Sequence, residues 1–487
     1  MRILKYNILQ VLKSAAPCAL VGFNLSLGAI TPAGAISLND AVAVAVEANP
    51  EIGQAIENRE AIEFELRQAR GLFLPTVDLE ASAGGRLLDN PSRRSLGIDG
   101  DGLSPVDASV VITHKLFDSG ARSAELRRQA ARVDGASFRV LERSEYIGLQ
   151  VVREYLEYLL QARIVAETEK NLAFHQRIQS NIADSVANGT LTAADRQQVI
   201  ERVLASRAQL IEVREELANA KISFLKLVGK PLDSASMPGS ISASLPRSVD
   251  QALGLARQNN PRIHMANADI DAADALVDAA RAKRGPEVLL EGRAIAGNDI
   301  DGADGRTSDL QARVVAKWRI FDGGIAAADE QEQIRRVGES RLVLDQVQRE
   351  LEESVRQSWE RRSSQRELAG VLRSQAQENN RLVGSYREQF TIGQRSLLDV
   401  LDAQNTRYNV DVLAVTAEYA ALFADYRLLA ATGELLDTLN VSAPRQGAAY
   451  ARSEFKVAPT APTDTYARLP SRQVNELPMD LLAPMKN

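Results

Sequence analysis

The sequence predicts a mainly α-helical protein with a β-barrel part, built from one helix–strand–strand–long helix–helix unit written twice. Three observations predict this. Landmarks recur along the 487 residues at a spacing of about 200. Two helical patterns of roughly 67 residues would each reach about 100 Å. Four segments of about ten residues alternate apolar and polar side chains, the length and pattern of a membrane-crossing strand.

The N-terminus reads as a secretory signal over residues 1–35. Arg2, Lys5 and Lys13 precede an apolar stretch from Ser14 to Ile30, and Ala33-Gly34-Ala35 forms a small-residue cleavage site. An uncleaved anchor is the alternative, but Pro17 and Asn24 interrupt the apolar run. Cleavage removes three cations and no acids, taking the formal charge from −6 to −9. It also removes Cys18, the sole cysteine, so the mature chain forms no disulfides. Pro17 makes Cys18 a poor candidate for a lipid anchor. Past the signal no run of eighteen apolar residues exists, so any membrane crossing must be made by strands.

The first repeat covers 36–247 and the second 248–440. "SLNDAVAVAVEANPEI" from Ser37 matches "SVDQALGLARQNNPRI" from Ser248, and Pro75 matches Pro286 at the same offset. "KLFDSG" (Lys115 to Gly120) then matches "RIFDGG" (Arg319 to Gly324), while Gly189 matches Gly393, Asp195 matches Asp399 and Gly229 matches Gly433. Each half opens with a helix of about 33 residues ending near Gly71 or Arg284. Strands follow at about 74–88 and 105–117, and at about 286–297 and 308–321. Long helices run from Ala121 to Ala187 and from Ile325 to Phe390, each followed by a glycine turn and a final helix. Val203, Leu210, Leu217 and Phe224 repeat every seven residues, beside Leu204, Ile211, Ala218 and Leu225. That spacing implies coiled-coil packing. Residues 441–487 hold six prolines without apolar periodicity and are expected to be a disordered tail.

Composition and motifs exclude several functions. A net charge of −6 argues against nucleic acid as a partner. His114, His175 and His264 are scattered, and no nucleophile and base share a telling spacing, so an enzyme is not expected. No cofactor or metal is expected either. "DGDG" at 99–102 lacks the further ligand positions of a calcium loop, and two aspartates alone make a poor metal site. Four strands cannot close a barrel, and an open edge is not allowed in lipid, so membrane strands would have to be shared between copies.

The "NP" helix, the paired F-D-x-G motifs and "IGQRSLLDVLDAQ" (Ile392 to Gln404) together resemble the TolC-like outer-membrane channel-tunnel family. The resemblance runs from Ser37 to about Leu439 and is strongest to members serving type I protein secretion. It implies a homotrimer with a 12-stranded outer-membrane β-barrel, continued by a long periplasmic α-helical barrel. The implied partners are outer-membrane lipid, a periplasmic adaptor and an inner-membrane transporter, ABC or proton-driven. The alternatives are a small-molecule efflux channel or, in a different class, a periplasmic coiled-coil adaptor or structural tether. Neither an adaptor nor a tether would need strands and helices in duplicate.

The resemblance also implies that the turn Gln389–Gln404 is the periplasmic gate. Arg395, Asp399, Asp402 and Asp195 match gate positions, Phe390 stands where the family often has tyrosine, and Gly189 and Gly393 are the turn glycines. Ser396 with Asp399, and Thr192 with Asp195, also read as capping pairs. Capping does not account for Asp402, whose counterpart is Gln198, or for Arg395, whose counterpart is Leu191. In a trimer Asp399 and Asp402 would form carboxylate rings that favour cations and, crowded together, raise some of their own pKa values. Arg395 is expected to bridge to Asp195 or a nearby carbonyl.

Overall fold

The computed structural model describes residues 36–187 and 191–458. The expected signal peptide, Gly189 and the tail beyond 458 lie outside the described residues. The first copy opens with α1 (Leu38–Ala48) and α2 (Pro50–Gly71), where the sequence suggested one continuous helix. The break has a local cause. Pro50 disfavours helical geometry at the residue before it, and Asn49 sits extended at φ −70°, ψ 128°. Asn49 ends α1, its Oδ1 accepts from the Glu51 amide at 2.9 Å, and its Nδ2 donates to the Leu227 carbonyl at 3.0 Å. The "NP" motif is thus a joint.

The first strands are β1 (Thr76–Ala83) and a short β2 (Arg86–Leu87). After α3 (Pro91–Leu96) come β3 (Gly102–Leu103) and β4 (Val106–Phe117). α4 (Ala121–Ala187) and α5 (Ala193–Val228) complete the first copy. The second copy runs α6 (Val249–Asn259), α7 (Pro261–Ala282), β5 (Glu287–Asn298), β6 (Arg306–Lys317), α8 (Ile325–Thr391) and α9 (Leu397–Thr432). Asn260 repeats the joint, capping both α6 and α7 and donating to the Ala431 carbonyl at 3.2 Å. The F-D-x-G motifs start the long helices. Asp118 accepts from the amides of Gly120 and Arg122, and Asp322 from those of Gly324 and Ala326. Gly120 and Gly324 take φ of 96° and 88°, which is open to glycine at no steric cost.

One antiparallel sheet, in the order β1-β4-β5-β6, joins the two copies. Leu79, Val110, Ala294 and Leu310 stand side by side across it, and Leu79 and Leu310 are 77% and 84% exposed. The opposite face is polar: Glu291 pairs with Arg313 and Lys115 with Glu287, both at 2.7 Å. The last strand ends at Lys317, four residues earlier than the spacing suggested. Trp318 turns away to donate its indole N–H to the Arg284 carbonyl at 3.0 Å. Between β1 and β4 the loop is ordered around buried Arg93, whose guanidinium donates to the carbonyls of Gly302, Ile98 and Asp101.

The main core lies where the helix pairs α1/α2 and α6/α7 meet the long helices, around Val42, Tyr155, Phe224, Tyr426, Leu429 and Leu435. Val203, Leu210 and Phe224 are buried in it or along the helices, whereas Leu204, Ile211 and Leu225 beside them are exposed. After α9 the chain adds α10 (Leu435–Thr438), a 3₁₀ turn (Arg445–Gly447) and α11 (Ala451–Glu454). This corrects the expectation of a disordered tail from 441: residues 441–458 are ordered. Buried Asp134 accepts from the amides of Tyr450, Ala451 and Arg452, capping α11 from outside it, and Arg452 bridges Asp134 (3.0 Å) and Asp271 (2.7 Å). The cap is supplied by a residue more than 300 positions away, so local composition could not reveal it. Five of the six prolines lie beyond 458.

Candidate functional site: a charged turn at the tip of the helices

The turn after α8 and the start of α5 lie at the far end of the long helices from the sheet. α8 closes with Gly393 at φ +75°, while the amides of Gly393 and Gln394 return to the carbonyls of Phe390 and Gln389. This is the left-handed closure that satisfies a helix's last carbonyls. α9 then starts with a reciprocal cap. Ser396 Oγ accepts from the Asp399 amide at 3.2 Å, and Asp399 Oδ2 accepts from the Ser396 amide and hydroxyl. Thr192 and Asp195 make the same set of bonds at the start of α5. These bonds hold both carboxyls below the ordinary aspartate range, that of Asp399 through the Ser396 hydroxyl first and that of Asp195 through the Thr192 amide first. Within one protomer the direction is therefore opposite to the expected rise.

Arg395 stays within its own turn. Its guanidinium lies 4.1 Å over the Tyr386 ring, its Nε donates to Gln389 at 2.9 Å, and its Nη1 is 3.9 Å from Asp399. No bridge to Asp195 is formed, because Asp195 is engaged by Thr192 and Arg395 folds back on the last turn of α8. Phe390 packs, partly buried, with Leu191 against a small core of Ile182, Val199, Leu397 and Leu401. The first copy's counterpart of Arg395 is thus an apolar packing residue.

Asp402 pairs with Arg202 of α5 at 3.0 Å. Above that pair a buried polar ladder binds α4 to α5 and α9. Gln404 donates to Asn171 at 2.8 Å, Asn171 to Ser206 at 3.4 Å, and Thr168 and Tyr408 share a bond of 2.8 Å. His175 is buried beside Arg202, its pKa pushed down to about 4 by burial first and by the Arg202 charge second. Arg202, Tyr386, Gln389 and His175 were not singled out from sequence. One signal was available: in the aligned copies, Gln198 and Arg202 of the first stand opposite Asp402 and Thr406 of the second. Among the described residues, no group of three or more His, Cys, Asp or Glu could hold a metal ion. Among them too, no helix is long and apolar enough to cross a membrane.

The sequence profile of outer membrane efflux proteins matches residues 42–230 and 252–434, one stretch in each copy. The chain belongs to the outer membrane efflux protein family. The members of this efflux protein family are channels rather than enzymes, located in the outer membrane and extending into the periplasm. The outer membrane efflux protein BepC of Brucella suis is 28% identical over 293 residues, 59% of this chain and 63% of BepC. The chain thus spans less than two thirds of that relative's length. The alkaline protease secretion protein AprF of Pseudomonas aeruginosa is 25% identical, over 81% of this chain and 84% of AprF. The solved Campylobacter jejuni CmeC outer membrane channel superposes with a TM-score of 0.70 at 16% identity, covering 82% of this chain and 86% of CmeC. That likeness establishes the fold.

Proposed function

We propose that this chain is the outer-membrane channel-tunnel of a tripartite export system serving type I protein secretion. As a homotrimer, it takes cargo from an inner-membrane transporter through a periplasmic adaptor to the cell exterior. The observation that carries this is the sheet. It has four strands, one apolar exposed face, one polar face, and outer strands β1 and β6 that each pair on one side only. Unpaired edges are not tolerated in lipid, and three such sheets give a closed barrel of twelve strands within the observed range of sizes. The exposed stripe Leu204, Ile211 and Leu225 supplies a second surface for neighbouring copies. The long helices would carry the lumen about 100 Å into the periplasm.

In this reading the tip turn is the gate. Arg395 pins the end of α8, Asp195 and Asp399 fix the starts of α5 and α9, Phe390 packs the closed tip, and the acids facing the lumen favour cations. Secretion of protein is favoured by the alignment with AprF over 81% of the chain. The similarity to BepC favours small-molecule efflux as the second reading. Cross-linking in cells followed by identification of the co-purifying inner-membrane transporter decides between them. A peptidase-containing or protein-exporting ABC transporter supports type I secretion; a proton-driven drug transporter overturns it.

A further inference from the structure

We infer that Arg202 sets the charge of the tip by holding Asp402 in an ion pair across the two copies, as Arg395 stands beside Asp399 within one copy. The inference rests on the gate reading above and adds a residue to it from the other half of the chain.

Arg202 lies on α5 and Asp402 on α9, with 3.0 Å between Nη2 and Oδ1. Neither belongs to the capping boxes, so the pair is not needed to start either helix. Their side chains are 32% and 56% exposed, and such pairs add little to stability. Their effect on a permeating ion is another matter. A carboxylate next to a guanidinium presents a dipole, whose field falls off faster than that of a single charge. Arg202 has one other acid in reach, Glu201 at 3.6 Å from Nε, and its inner flank is the uncharged, buried His175. The closest acceptor is therefore Asp402.

The aligned copies show how the pair arose. At one position the first copy has Gln198 and the second Asp402; one helical turn later the first has Arg202 and the second Thr406. Each copy carries one charged member and one neutral one, so the pair exists only between copies. Any movement that draws α5 away from α9 breaks it and returns the full charge to Asp402.

The test is the reversal potential of the purified full-length protein in planar bilayers under a KCl gradient. R202Q should raise the cation-over-anion permeability ratio by roughly twofold or more, R202K should keep the native ratio, and R202Q/D402N should fall to the native ratio or below. An unchanged ratio in R202Q overturns the inference, as does a rise in R202K equal to that in R202Q, which would assign the effect to lost packing. D399A/D402A separates the two levels. If it lowers selectivity while R202Q is silent, only the role of Arg202 falls. If it leaves selectivity at the native value, the acidic-gate reading falls too.

Discussion

At Thr192 the first copy starts α5, and at Ser396 the second copy starts α9, with the same reciprocal hydrogen bonds to an aspartate three residues on. Around this shared cap the two turns differ. Leu191 is partly buried packing where Arg395 stacks on Tyr386, and Gln198 is neutral where Asp402 is paired with Arg202. Duplication has preserved the residues that close the helices and freed the rest to specialise. At the tip the first copy supplies Arg202 and the apolar Leu191, and the second supplies Arg395 and Asp402.

The same division runs up the long helices. Glu145 of α4 is buried and caps the start of α10, accepting from the Leu436 amide at 3.3 Å. Its counterpart, Arg349 of α8, lies exposed and pairs with Asp345 on its own helix. Asp134, which holds α11, has Gly338 as its counterpart, so only the first copy supplies the acid that caps α11. Burial, reinforced by Asp437 and Glu434 nearby, raises the Glu145 pKa from an ordinary 4.5 to about 7. A carboxyl raised on folding favours the protonated fold. Its penalty therefore grows as pH rises from about 4.5 and is complete above about 7. E145Q should gain about 3 kcal/mol at pH 8 and little near pH 4. Thermal melts of the native and variant proteins at both pH values check this. Parallel pH dependence would show that Glu145 is not the asymmetric buried acid described.

A smaller effect sharpens what the copies share. T192A and S396A should each destabilise the start of their helix by about 1 kcal/mol. Amide hydrogen exchange at 193–199 and 397–403 reads both. Unequal losses would mean that the caps, too, have diverged.

Much of this was legible in the sequence because it is written in short-range periodicities. Residues 121–187 and the four strands follow from periods of 3.6 and 2, and the capping pairs follow from a three-residue spacing. What was missed depends on residues far apart in the chain. By periodicity Asn49 reads as part of one long helix, although Pro50 marks the break. The order of 441–458 rests on Asp134, and the partner of Asp402 is 200 positions away. The sequence points Arg395 to Asp195 or a nearby carbonyl because charge complementarity is visible in it, while the direction of a side chain leaving a turn is not.

The central claim is that the charged second copy, rather than the turn as such, keeps the channel shut. R395L, which places the first copy's residue in the second copy, tests it most directly by single-channel conductance in planar bilayers. The account predicts conductance above that of the native protein, since stacking on Tyr386 and the bond to Gln389 are lost together. Conductance equal to the native value would contradict it.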